Sequence, residues 1–124
     1  MIIRSTSIVE FRQWLYNLGA KKKRNLNGFQ VFFLAFVRND AADHTVAHEQ
    51  VHIRQWWRTL GLQPYLRLFW PGIRYRHELE AYIVSVMNGR DMESAARALS
   101  IHCGGDYKKA MNDLLRGVSD AYAI

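Results

Sequence analysis

His48, Glu49 and His52 are the residues of this chain best suited to chemistry, and they stand in the order H-E-x-x-H. Residues four apart on an α-helix share a face and lie about 6 Å apart along the axis. Both imidazoles can then offer nitrogens to a single ion. Glu49, one step round the helix, can take a proton from water beside that ion without competing for it. Two neutral ligands, an open position and a carboxylate base are what a zinc hydrolase requires. The ion needs a third ligand. His44 lies a further turn back on the same face, but it would be about 12 Å from His52 along a straight helix, whereas zinc–nitrogen bonds are about 2.1 Å. His102 and Cys103 are adjacent in the chain, and adjacent residues rarely chelate one ion together. The segment Tyr75–Tyr82 supplies Glu78 and Glu80, far enough beyond His52 to lie on a second helix. These two carboxylates would point about 200° apart on a helix, so only one can face the metal.

The two segments together resemble the gluzincins, metallopeptidases whose third zinc ligand is a Glu on the helix after the H-E-x-x-H helix. Their second motif often reads E-x-x-A-D, and Glu78-Leu79-Glu80-Ala81-Tyr82 shares its Glu and its Ala. The chain is more similar to small H-E-x-x-H proteins of bacteria and phages, in which a short basic segment leads into E-x-E-A-Y. That resemblance runs from Ile2 to Met87, specific at the two motifs and loose elsewhere. It implies a minimal zincin-like domain with Zn2+ held by His48, His52 and Glu78, and with Glu49 as the catalytic base. Tyr82 stands where the larger peptidases place Asp, so a carboxylate that would orient a ligand histidine is missing there. Tyr82, Tyr75 and His77 are candidates to stabilise an oxyanion.

These residues need elements to carry them. No Pro or Gly interrupts Ala41–Leu60, so a helix is expected there, with Asn39, Asp40 and Asp43 as N-cap candidates and Gly61 as its stop. Val46, Val51, Ile53, Trp56, Trp57 and Leu60 would bury it. The second motif helix is expected over Arg76–Met87, closed by Asn88-Gly89. Phe29–Val37 reads as one apolar strand, whose edge could pair with an extended substrate. Before it, Ile8, Phe11, Trp14, Leu15 and Leu18 recur at helical spacing after Ser5–Ser7, with Gly19 as stop. A short extended segment at Met1–Arg4 can join the sheet. Tyr65–Trp70, between Pro64 and Pro71, is expected to pack on the core, with seating at a membrane interface as the alternative. Asp91 caps a third helix through Leu99 or Ile101, stopped by Gly104-Gly105. Asp106 caps a fourth, with Tyr107, Ala110, Met111, Leu114 and Leu115 on one face and Gly117 after it. The class is α+β: mostly helical, with a small N-terminal sheet packed on the H-E-x-x-H helix.

The chain has 124 residues, 49% of them apolar, and four Trp, six Tyr and six Phe, which suits one domain with a real core. Lys and Arg number 17 against 11 Asp and Glu, a net charge of +6 that favours anionic partners. One cysteine excludes an intramolecular disulfide. Met1–Ser5 lacks a signal-like apolar core and no stretch suits a membrane span, so a cytoplasmic protein is expected, with a membrane-peripheral one as the alternative. Lys21–Arg24 reads as a solvated turn.

Three functions follow in descending order. The first is a zinc peptidase acting on a peptide or protein substrate. The second is a non-catalytic zinc-stabilised binding or assembly protein. The third is a basic nucleic-acid-binding module, disfavoured because no nucleic-acid motif is present. So short a chain leaves little for a deep pocket. A shallow cleft is expected between the His48–His52 helix and the Phe29–Val37 strand, suited to a particular extended substrate, a partner protein or an anionic or membrane surface.

Overall fold

A computed structural model describes residues 1–18, 26–103 and 105–123. Its strands are β1 (Ile2–Arg4), β2 (Gly28–Val31) and β3 (Leu34–Val37). Its helices are α1 (Thr6–Asn17), α2 (Asp43–Arg58), α3 (Gln63–Phe69), α4 (Pro71–Met87), α5 (Met92–Cys103) and α6 (Tyr107–Tyr122). The result is a mostly helical α+β fold with a small mixed sheet that packs on α2. Gly19, Lys21–Arg24, Asn25 and Gly104 lie outside the described residues.

The sheet has the order β1-β3-β2, with β1 parallel and β2 antiparallel to β3. The run Phe29–Val37, expected to be one strand, is therefore a hairpin that reverses at Phe32-Phe33. Neither loop residue is a turn former, and Phe32 holds φ at 55°. Tertiary packing supports the reversal: the Phe33 ring lies 5.6 Å from that of Trp56 and 6.0 Å from that of Trp57.

α2 is shorter than the expected span. It starts at Asp43 after Ala42, with no side-chain cap. Asn39 and Asp40 fall in the turn before it, and Asp43 instead places its charge in the first turn. Arg4 ties this entry down by donating from Nη1 to the carbonyls of Asn39 and Ala41 at 3.2 and 3.3 Å. At the far end, the Leu60 N–H donates to Trp57 O and the Gly61 N–H to Trp56 O, a Schellman closure. Leu60 occupies its left-handed position at φ 51°, where glycine is the usual choice. The same closure ends α4, with Gly89 at φ 104°.

α4 begins at Pro71 rather than Arg76, because proline is preset for the first turn of a helix. Glu78 consequently sits well inside α4. Asp91 and Asp106 cap α5 and α6, accepting from the N–H groups of Ser94 at 2.9 Å and Lys108 at 3.0 Å. α5 runs on to Cys103, past the expected end at Leu99 or Ile101. α6 passes straight through Gly117 instead of stopping there. A Cβ at Gly117 would lie 2.2 Å from Ile83 Cδ1 and 2.8 Å from Cγ1, so this glycine serves the close approach of α6 to α4. Tyr82, Ala95, Ala96, Leu99, Ala110 and Leu114 form the core among α4, α5 and α6.

Several apolar side chains expected inside are outside. Val51 is fully buried, but Trp57 and Leu60 are exposed. On α1 only Val9 is buried, while Phe11 and Trp14 face solvent. Tyr65, Leu68, Phe69 and Trp70 are also exposed, against the expectation that they pack on the core. α3 is too short to turn all of them inward, and it is held by buried Gln63 and half-buried Leu66. No helix among the described residues is long and apolar enough to cross a membrane.

Leu60 is 87% exposed, so replacing it removes strain without loss of packing. Leu60→Gly is expected to stabilise by about 0.5–1 kcal/mol. Gly117→Val is expected to destabilise by about 1–3 kcal/mol through overpacking against Ile83. Urea denaturation reads both, and unchanged midpoints would contradict them.

Candidate metal centre

α2 and α4 lie side by side and antiparallel, as their contacts show in order. Ser85 Oγ donates to His44 O at 3.1 Å, and the Tyr82 ring packs edge-on to the His48 ring at 4.5 Å. Glu78 meets His52, and Gln55 Nε2 donates to His77 O at 2.9 Å. At the middle of this seam His48 Nε2 and His52 Nε2 are 3.2 Å apart. Glu78 Oε2 is 3.7 Å from His48 Nε2, and Glu78 Oε1 is 3.6 Å from His52 Nε2. Three donors bonded at about 2.1 Å to one tetrahedral ion would be about 3.4 Å apart. His48, His52 and Glu78 are thus close enough to bind a metal ion, and among the described residues they are the group of this kind.

Glu80 points elsewhere. It takes Arg58 Nη2 at 2.7 and 2.8 Å and Gln55 Nε2 at 2.9 Å. That contact fixes the Gln55 amide, because its nitrogen faces two acceptors, Glu80 and His77 O. Gln55 Oε1 must therefore face His52 Nδ1, at 2.9 Å. The proton of the His52 ring is held on Nδ1, which leaves Nε2 to face Glu78 and a metal. Gln63 Nε2 donates to the same Gln55 oxygen at 3.1 Å, and Gln30 Nε2 reaches both Gln63 Oε1 and His52 O, at 3.5 and 3.3 Å. An amide on α2 itself thus does the orienting that Tyr82 could not. His48 has no such partner: its Nδ1 is buried without a hydrogen bond.

Burial and neighbouring charge act on the four ionisable groups in different directions. Burial, reinforced by His52, pushes His48 down to about 3, with Glu78 opposing. Burial pushes Glu49 up to about 7, opposed by His52 and Arg67 and reinforced by Glu78. For His52, burial works downward, but the hydrogen bond and charge of Glu78 and the charge of Glu49 outweigh it and raise the group. For Glu78, burial works upward and is outweighed by His52, Arg67 and His48, so its carboxyl titrates well below the ordinary range. Arg67 reaches in from α3 to pair with Glu78 Oε1.

The group opens on a cleft of about 580 Å³, with Glu49, Tyr82, Arg67, Arg90 and His102 around it and Asn27–Gln30 along one wall. That wall is mostly β2, one of the two outer strands of the sheet among the described residues. Val31 pairs with Leu34 across the two-residue loop, and the Arg38 N–H donates to Asn27 O at 3.0 Å in the same phase. In an antiparallel ladder this alternation turns the N–H and C=O groups of Gly28 and Gln30 away from β3.

The remaining candidates lie away from the cleft. Tyr75 donates its hydroxyl to Asp113 at 2.6 Å, toward α6. His77 lines a separate cavity with Arg58 and Glu80. The His44 ring lies beside Thr45 Oγ1, and half-buried Cys103 packs against the helical core. Sequence reasoning did not single out Gln55, Arg67 or Arg90. For Gln55 a signal existed, since it lies one helical turn after His52 on the same face.

Fold and site together define a mostly helical α+β domain in which two antiparallel helices bring two imidazoles and a carboxylate within reach of one metal ion. No protein-family model, no curated protein and no solved structure matches the chain.

His48→Ala is expected to abolish tight metal binding. Gln55→Ala, which leaves every ligand in place, is expected to weaken it about 10–100-fold. Competition titration against a chromophoric chelator measures both, and parental affinity in Gln55→Ala would show that the amide does not orient His52.

Proposed function

We propose that this chain is a zinc-dependent hydrolase, a peptidase in which His48, His52 and Glu78 hold the metal and Glu49 is the base. The observation that carries this reading is the placement of the donor group and Glu49 in one cleft beside a strand edge that no other strand covers among the described residues. The donor chemistry suits zinc: two imidazole nitrogens and one carboxylate, spaced as a tetrahedral ion needs, with a cleft on the remaining side. When bound, zinc supplies a Lewis acid that polarises a carbonyl and lowers the pKa of water.

The rest of the chemistry falls to the protein. Burial raises the Glu49 carboxyl above the ordinary carboxylate range, which suits a group that accepts a proton and gives one back. It takes the proton from the attacking water and delivers it to the leaving amine. Gly28 and Gln30 offer backbone donors and acceptors along the outer edge of β2, where an extended peptide can add as a further strand. Tyr82 and Arg67 line the cleft and can donate to the oxygen that gains charge.

A zinc ion tying α2 to α4 without catalysis is the competing reading, and Glu49 separates the two. Glu49→Gln is expected to bind zinc with parental affinity and to lose peptide hydrolysis by a factor of at least about 100. A screen of zinc-loaded protein against a peptide library, repeated with Glu49→Gln and with His48→Ala, makes the measurement. Undiminished hydrolysis in Glu49→Gln would remove Glu49 as the base. Zinc binding with no hydrolysis in any arm would favour the structural role.

A further inference from the structure

One surface of the molecule, Arg67 apart, has no part in the chemistry above. It runs from the hairpin tip at Phe32-Phe33, across the end of α2, to α3. The Phe33 ring packs tilted against Trp56 and Trp57, and Phe32, Trp56, Pro64 and Leu68 line one shallow depression with Arg67 and Arg74. On α3, Tyr65 is 62%, Leu68 74% and Phe69 67% exposed. α3 is two-faced: Gln63, Leu66 and Arg67 turn inward while these three turn out. An apolar patch of this kind needs something to cover it.

The charge around the patch says what. From Gln50 to His77 the sequence contains no Asp or Glu and five arginines: Arg54, Arg58, Arg67, Arg74 and Arg76. Arg58 and Arg67 are paired with Glu80 and Glu78, whereas Arg54, Arg74 and Arg76 are exposed. Protruding aromatic and aliphatic side chains with Arg67 and Arg74 beside them, within a stretch that carries no acidic residue, match an anionic bilayer surface. The rings and Leu68 can enter the headgroup boundary while the guanidinium groups meet lipid phosphates. A protein partner would need a groove shaped to receive a hairpin tip and a short helix, whereas a lipid interface moulds itself to them.

We propose that the face formed by Phe32-Phe33, Trp57 and α3 docks on an anionic membrane surface, as a peripheral contact. This goes beyond the hydrolase reading and does not rest on it, since lipid binding is measured without metal or substrate.

The test is co-sedimentation of the full chain with vesicles of phosphatidylcholine mixed with phosphatidylglycerol, and with phosphatidylcholine alone, at low and high salt. The expected result is strong partition onto the anionic vesicles, weakened by salt, with a blue shift in tryptophan fluorescence. The triple variant Tyr65→Gln, Leu68→Gln, Phe69→Gln keeps good helix formers on α3 and is expected to bind at least about tenfold more weakly. The variant Arg54→Gln, Arg74→Gln, Arg76→Gln is expected to lose about fivefold per arginine on anionic vesicles, and little on neutral ones. Circular dichroism checks that both remain folded. If the α3 variant unfolds, the arginine variant decides alone. Absence of partition onto anionic vesicles would overturn the proposal, as would parental binding by the folded variants. So would a dimer, seen by light scattering without vesicle binding, that the α3 substitutions dissolve: the patch would then be covered by a second copy.

Discussion

The Glu78 carboxylate reaches two imidazoles on another helix only because α2 and α4 lie antiparallel in one fixed register. The pairs Ser85–His44, Tyr82–His48, Glu78–His52 and His77–Gln55 hold that register along the seam. A slip of one residue on α4 would turn Glu78 about 100° away and leave two histidines with nothing opposite. The three donors are therefore no sturdier than the packing beneath them. Much of that packing is the small apolar core where Tyr82 meets α5 and α6. The glycine that lets α6 close on α4 belongs to the same arrangement.

The seam is polar where helix seams are commonly apolar. Gln55 and Gln63 are almost completely buried, and a buried amide left unpaired costs about 1–3 kcal/mol. Here the amides are paired with one another, with His52 and with Glu80, so each limits how the next can turn. This run of hydrogen bonds begins at a half-exposed ion pair, Glu80–Arg58, and ends at His52 Nδ1, the ring nitrogen that faces away from Glu78. Glu78 and Glu80 thus divide the work: one faces the two imidazoles, and the other sets the amide that orients His52. His48 lacks this support, and its ring is placed by Tyr82 and by burial instead.

α3 connects the centre to the outer surface. Arg67 on its inner side pairs with Glu78, and Gln63 joins the amide chain, while Tyr65, Leu68 and Phe69 stand on its outer side. A displacement of α3 would be felt at the centre through both inner residues. The hairpin works in a similar way: its tip belongs to the exposed patch, and its β2 strand walls the cleft.

Some of this is legible in the sequence because it depends on residues a few positions apart. Helical period alone puts His48 and His52 on one face. It also excludes His44 as a partner and forces Glu78 and Glu80 to face apart. The closures at Asp91, Asp106 and Asn88-Gly89 are readable for the same reason, since each is a bond between a side chain or N–H and its own chain neighbours. The α+β class follows from the apolar periods taken segment by segment. The reversal at Phe32-Phe33 is not legible, because no turn residue marks it and Trp56 and Trp57 support it from another element. Nor is the start of α4, the passage of α6 through Gly117, or the solvent-facing side of α3. Each depends on what a distant segment leaves room for. The orientation of Gln55 belongs with these, because an amide reads alike in any sequence until acceptors from a second helix are set around it.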